Sequence, residues 1–165
     1  IGHSRTVFDE LIHVPLVVRW PGQTRAEVID TPVSLVSLHP TVARESGLVD
    51  SPQLPPAIPT WREPGPAQPL LFAETHKEGY RAAVVRWPWK LIADESAGEE
   101  HLYALDRDPG EELDLASARP DIREQLAAQL QSWRRRSSAD GIDPESVRPR
   151  LDAEQEERLR ALGYL

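Results

Sequence analysis

Seven prolines crowd the stretch from Pro52 to Pro69. No other feature limits the fold of this chain so tightly. Proline has no backbone donor and a fixed φ, so neither a helix interior nor a central strand survives there. Residues 49–69 are expected as an extended connector with polyproline character. The chain then divides into a first part, 1–48, and a second part, 70–165. Each has to be read for its own elements.

In the first part, Thr6 to Leu11 suits a short helix. Thr6 is its candidate N-cap, with Asp9 and Glu10 near the positive end. Val14-Pro15-Leu16-Val17-Val18-Arg19-Trp20, closed by Pro21-Gly22, has the pattern of a strand. Its apolar residues run on without alternation, as in parallel sheets covered on both faces. The first part offers this strand few companions, with Val28-Ile29 as one weak candidate. An unpaired buried backbone group costs about 1–3 kcal/mol, against a net domain stability of about 5–15 kcal/mol. The strand is therefore expected to belong to a sheet whose other members lie outside these residues. Ser37 to Ser46 suits a helix, with Ser37 as N-cap, Pro40 in the first turn and Gly47 at C′.

The second part is richer. Leu70 to Glu74, Tyr80 to Arg86, Trp89 to Ala93 and His101 to Leu105 are four short apolar segments with short connections. Only Trp87-Pro88 separates the second from the third, which predicts a hairpin and an antiparallel sheet. Asp108-Pro109-Gly110 marks a turn. Ile122, Leu126, Leu130 and Trp133 form one stripe on a helix predicted over Pro120 to Arg136. That stripe is expected to cover one sheet face. Asp152 to Leu162 is a candidate terminal helix.

Composition removes several function classes. With 27 acidic and 19 basic residues the formal net charge is −8, the opposite of a nucleic-acid footprint. No apolar run approaches a membrane span. The absence of cysteine removes disulfides, thiolate metal sites and a cysteine nucleophile. The chain starts at Ile1 and contains no methionine, so it is expected to be a fragment or processed product.

Three blocks resemble the C-terminal third of sulfatases of the alkaline phosphatase superfamily. Gly2-His3-Ser4-Arg5-Thr6-Val7-Phe8-Asp9-Glu10, running into Val14 to Gly22, is similar to the family's glycine–basic–aromatic–acid element and its core strand. Asp30 to Thr41 resembles the family's "VS-x-x-D-L-x-PT" helix, with Ser37 replacing the usual Asp. Trp89-Lys90-Leu91-Ile92, then Leu102 to Leu105, then Asp108 to Ala116 resemble the series "KLI … LYDL … DP-x-E-x-x-NLA". The tail, Glu157 to Leu165, is similar to the terminus of many bacterial members.

The resemblance implies an α/β fold class: the C-terminal part of an alkaline-phosphatase-like sulfatase fold, with a small antiparallel sheet packed by a C-terminal helix. On this view, residues 1–48 end the large α/β core, and 70–165 form the C-terminal subdomain. It also implies hydrolysis of sulfate monoesters by a formylglycine nucleophile, with a divalent metal, usually calcium. The nucleophile and metal ligands are expected upstream of Ile1, on a missing N-terminal sulfatase domain. No metal and no cofactor are expected on these 165 residues, which alone are expected to be inactive. The implied substrate is a sulfated small molecule or glycan. Nucleic acid and a membrane span are not expected, and a periplasmic or extracellular location fits the family.

Sulfate ester cleavage needs a nucleophile, charge neutralisation on the sulfate oxygens and a proton for the leaving oxygen. His3 stands where the family places a basic residue near the sulfate, and is the candidate catalytic residue. In register with Asp9, the family's Lys falls nearer Ser4. His13, His39 and His101 are expected to be structural or solvent-facing, and His76 to lie in a strand-connecting loop with a structural role ahead of any approach to substrate. Trp87 and Trp89 fit sheet packing better than a sugar platform. Lys90 and the run Asp108 to Glu112 have the look of strand-edge and turn chemistry. Two alternatives stand beside the sulfatase reading: a fragment of a related phosphodiesterase or phosphonate monoester hydrolase, and a non-catalytic binding module.

Overall fold

The computed structural model of the chain describes residues 6–30, 32–47, 69–76, 79–139 and 157–158. The elements are α1 (Asp9–Ile12), a single 3-10 turn (Leu35–Ser37) leading into α2 (Leu38–Glu45), β1 (Leu71–Thr75), β2 (Arg81–Arg86), β3 (Trp89–Asp94), β4 (Glu99–Ala104) and α3 (Pro120–Ala139). Two compact units divide the chain, Ile1–Gln131 and Ser132–Leu165.

The four apolar segments of the second part form one antiparallel sheet in the order β1-β2-β3-β4. The tight Trp87-Pro88 connection sets the register, pairing Arg86 with Trp89. Side chains alternate between the two faces, so cross-strand partners share a face. Val84, Leu91 and Leu102 are such a row, and all three are fully buried. On this face lies α3. Its Ile122, Leu126 and Leu130 are buried at i, i+4 and i+8, as the stripe predicts. Polar contacts pin the same helix. Arg86 Nη2 donates to Gln125 Oε1 at 2.8 Å, and the Arg119 guanidinium lies 5.2 Å from the centre of the Trp89 ring. Trp133 falls beyond Gln131, in the second unit.

The opposite face is closed by a segment from the first part. Val7 is buried with Ala83, Ile92, Tyr103 and Leu105, and Phe8 packs against this group. The Phe8 and Tyr103 rings are 6.0 Å apart at 57°. Turn residues tie down the outer edge of β4. Leu115 N donates to Leu102 O at 2.7 Å, and Leu102 N donates to Asp114 Oδ1 at 3.0 Å.

Several expectations change on inspection. The first helix begins at Asp9, three residues past Thr6, because Phe8 is extended and Val7 is buried against the sheet. Ser37 occupies the N-cap of α2 but makes no side-chain cap. Its carbonyl instead accepts from Thr41 Oγ1 at 2.5 Å. Gly47 does take the left-handed C′ position, at φ +68°. Residues 14–20 form no ladder among the described residues, and Val17 is 93% exposed. A strand exists only by pairing, and no neighbour is offered here. Val28-Ile29 is likewise exposed and unpaired in a sheet. Lys90 is not on a strand edge. It stands in the interior strand β3, opposite Val85 and Tyr103, and is fully buried. The connector 49–68, His3 and most of 152–162 lie outside the described residues; within the last, 157–158 are helical.

Candidate functional site

The strongest concentration of buried charge lies where α1 meets the sheet. Period two puts Lys90 on the same face as Ile92, under the Val7–Phe8 segment. Its ammonium cannot reach water from there. Lys90 Nζ instead donates to Asp9 Oδ1 at 2.6 Å. It also stands 2.7 Å from Glu111 Oε1, an ion contact without the direction of a hydrogen bond. Glu111 Oε2 accepts from Asp9 N at 2.6 Å, so the two acids are joined to each other as well as to the lysine. The Glu111 side chain is 2% exposed and that of Asp9 20%.

The turn after β4 is shaped to deliver Glu111. Asp108 Oδ1 and Oδ2 accept from Glu112 N at 3.1 Å and Leu113 N at 2.9 Å, and Asp108 O accepts from Glu111 N at 3.1 Å. Glu111 sits at φ +54°, a region costly to any residue with a Cβ. Farther along, Asp114 organises a second polar group. Its Oδ1 accepts from Leu102 N and Ala116 N, and its Oδ2 lies 2.9 Å from His101 Nδ1. Burial opposes its ionisation, but the two N–H donors and the His101 ring outweigh burial and hold the carboxyl below the ordinary value. Burial, then the Asp114, Glu111 and Asp108 carboxylates, push the Tyr103 phenol up.

The other histidines do not gather into a site. His13 is exposed, 4.0 Å from Asp9 Oδ2. His39 is exposed in α2. His76 follows β1 with its ring 4.8 Å from that of Tyr80, whose hydroxyl donates to Glu74 Oε2 at 2.8 Å. Trp89 is covered by Arg119 and Trp87 is exposed, so the pair makes no common platform. Among the described residues no group of three His, Cys, Asp or Glu side chains converges on a point where a metal would bind. Asp9 and Glu111 do meet, but around an ammonium. These residues do not fit the calcium that the resemblance implies.

The Lys90 cluster was missed in the sequence because its members are 81 and 21 positions apart. A signal did exist. Lys90 shares the inward face with Ile92 in a strand flanked by neighbours on both sides, and a buried lysine needs an acid.

No family model matches the chain. The fold is similar to part of the fold of solved sulfatases. It resembles a solved putative sulfatase from Bacteroides thetaiotaomicron, with TM-score 0.55 and 23% identity, over 72% of this chain and 27% of that one. A solved 2-O GAG sulfatase matches with the same values. In sequence the chain is 28% identical over 144 residues to arylsulfatase K of Danio rerio, covering 79% of this chain. It spans 27% of that relative's length. No helix among the described residues is long and apolar enough to cross a membrane.

Proposed function

We propose that this chain is the C-terminal portion of a sulfatase that hydrolyses sulfate monoesters. Its nucleophile and metal ligands would be supplied by polypeptide upstream of residue 1. The observation that carries this reading is the match to an arylsulfatase over 79% of this chain but 27% of the relative. The sequence supports it by containing no cysteine from which a formylglycine could be made. The nearest match to the family's Cys/Ser-x-Pro nucleophile motif, Ser37-Leu38-His39-Pro40, has its proline one place late and is built into the start of α2. The exposed apolar residues Val14, Leu16 and Val17 are a further support, since apolar surface of this kind marks a face that meets other polypeptide.

In this reading His3 donates a hydrogen bond to a sulfate oxygen or a proton to the leaving oxygen. The formylglycine nucleophile and a divalent cation, calcium by family, act from the upstream domain. The GAG sulfatase among the structural relatives favours a sulfated glycan as substrate class.

The test compares two proteins. The 165-residue chain with an aryl sulfate and calcium should show no turnover, and the chain joined to its upstream coding sequence should turn over. Robust hydrolysis by the 165 residues alone would contradict the reading. So would a joined protein that cleaves phosphodiesters or phosphonate monoesters and no sulfate ester.

A further inference from the structure

Three residues from separate sequence motifs meet in one buried cluster. Asp9 closes the glycine–basic–aromatic–acid element, Lys90 opens Lys90-Leu91-Ile92, and Glu111 sits in the turn Asp108 to Glu111. Neither sulfate binding nor nucleophilic chemistry, as proposed above, uses any of them. Their contacts at 2.6, 2.7 and 2.6 Å join α1, β3 and the turn after β4.

The cluster is half of one attachment. The other half is apolar, the burial of Val7 and Phe8 on Ile92 and Tyr103. Apolar burial has no direction, so by itself it holds a segment without fixing its register. The charge-assisted hydrogen bond from Lys90 to Asp9 and the N–H···O bond from Asp9 to Glu111 are directional. Stability alone does not call for such a device, because well-packed apolar residues replace buried ion clusters at little or no cost. The attested use of buried charge is to select one registration among several.

We propose that Lys90 and Glu111 are positioning residues. With Asp9 they form a latch that fixes Thr6–Ile12 on the sheet and sets the position of the chain that leads into it. The second half of this statement, that the latch positions a catalytic segment, rests on the sulfatase reading. The latch itself does not.

Amide hydrogen exchange on the full 165-residue chain tests the latch. Asp9 N and His13 N are both hydrogen-bonded, and they should exchange within about tenfold of the slowest β3 amides, as one cooperative unit. In Lys90→Met/Glu111→Met, which leaves an apolar pocket, the same two amides should exchange at least 10-fold faster while β3 is unchanged. Free exchange of Asp9 in the parent chain, or equal rates in parent and variant, overturns the latch. The parent comparison decides the matter even if the variant fails to fold.

Activity of the chain joined to its upstream domain tests the positioning role. The double variant should keep its melting temperature and lose about 10²-fold in kcat, the cost of an ångström-scale misplacement. Parental kcat together with faster exchange at Asp9 overturns the positioning role. A joined parent protein that hydrolyses no sulfate ester refutes the sulfatase reading instead, and the exchange data then judge the latch alone.

Discussion

Replacing Lys90 with methionine removes one charge, keeps a side chain of similar length, and leaves two carboxylates facing an apolar pocket. With an effective dielectric of about 20, each contact at 2.6 and 2.7 Å represents an attraction of about 6 kcal/mol. Most of this is offset in the native protein by several kcal/mol spent desolvating each ion, and by repulsion between the acids. The net value of the intact cluster is therefore small, while breaking it is costly. A buried charge deprived of its partner costs about 3–5 kcal/mol. Asp9, 20% exposed, can turn toward water. Glu111, 2% exposed, cannot, but it keeps the Asp9 N–H. The expected loss for Lys90→Met is thus near the lower end, about 3 kcal/mol.

Urea unfolding of the full chain measures this directly. With an m-value of about 2 kcal/mol/M, the midpoint should fall by about 1.5 M. Glu111→Met leaves Lys90 and Asp9 as a one-to-one pair and should cost about 1 kcal/mol, the value of one hydrogen bond. Lys90→Met/Glu111→Met removes the stranded carboxylate and should be more stable than Lys90→Met alone. Additive losses in the double variant would refute the reasoning, because they would mean the two side chains act independently. A loss under about 1 kcal/mol for Lys90→Met would refute it too, by putting the lysine in the range of exposed pairs.

Three more outcomes follow from the geometry. At φ +54°, Glu111→Gly relieves a strain that Glu111→Ala retains, so thermal unfolding should find the glycine variant more stable by about 1 kcal/mol. The depressed Asp114 carboxyl contributes stability above the unfolded value of about 3.9, and loses it as pH falls through the lower folded value. Asp114→Asn should accordingly cost under about 1 kcal/mol at pH 7, given its exposure, and the gap to the parent should close in acid denaturation below about pH 4. Leu126 is fully buried between α3 and the sheet, so Leu126→Ala should cost about 3–5 kcal/mol by urea titration, with far-UV helix content retained below the midpoint.

The sheet and α3 were legible because their information is local. Trp87-Pro88 between two apolar runs fixes a hairpin, and the stripe Ile122, Leu126, Leu130 fixes a buried helix face. Each needs only neighbours a few positions away. The latch depends instead on contacts that cross 81 and 21 positions, where no periodicity reaches. Lys90 therefore reads as an edge residue, and Glu111 as part of a turn. The missing strand at 14–20 has the opposite cause. Its local pattern is strong, yet a strand is completed by partners, and the described residues hold none beside it. Thr6 shows a third kind of limit. It has good capping chemistry, but burial of Val7 and Phe8 on the sheet takes precedence and delays the helix to Asp9.

The acidic block from Asp108 to Asp114 invites a catalytic reading, since clustered carboxylates serve as acids, bases and cation ligands. The contacts argue otherwise. Both oxygens of Asp108 accept backbone N–H groups of its own turn. Glu111 divides its oxygens between Asp9 N and the Lys90 ammonium. Asp114 bonds Leu102 N, Ala116 N and the His101 ring. These carboxylates are committed to local structure, to backbone N–H groups, to the Lys90 ammonium and to the His101 ring. The turn chemistry exists to place Glu111 against a lysine that the sheet has already buried. In the function proposed here, the described carboxylates of this block therefore serve as frame, fixing α1 on the sheet, and not as acids, bases or cation ligands.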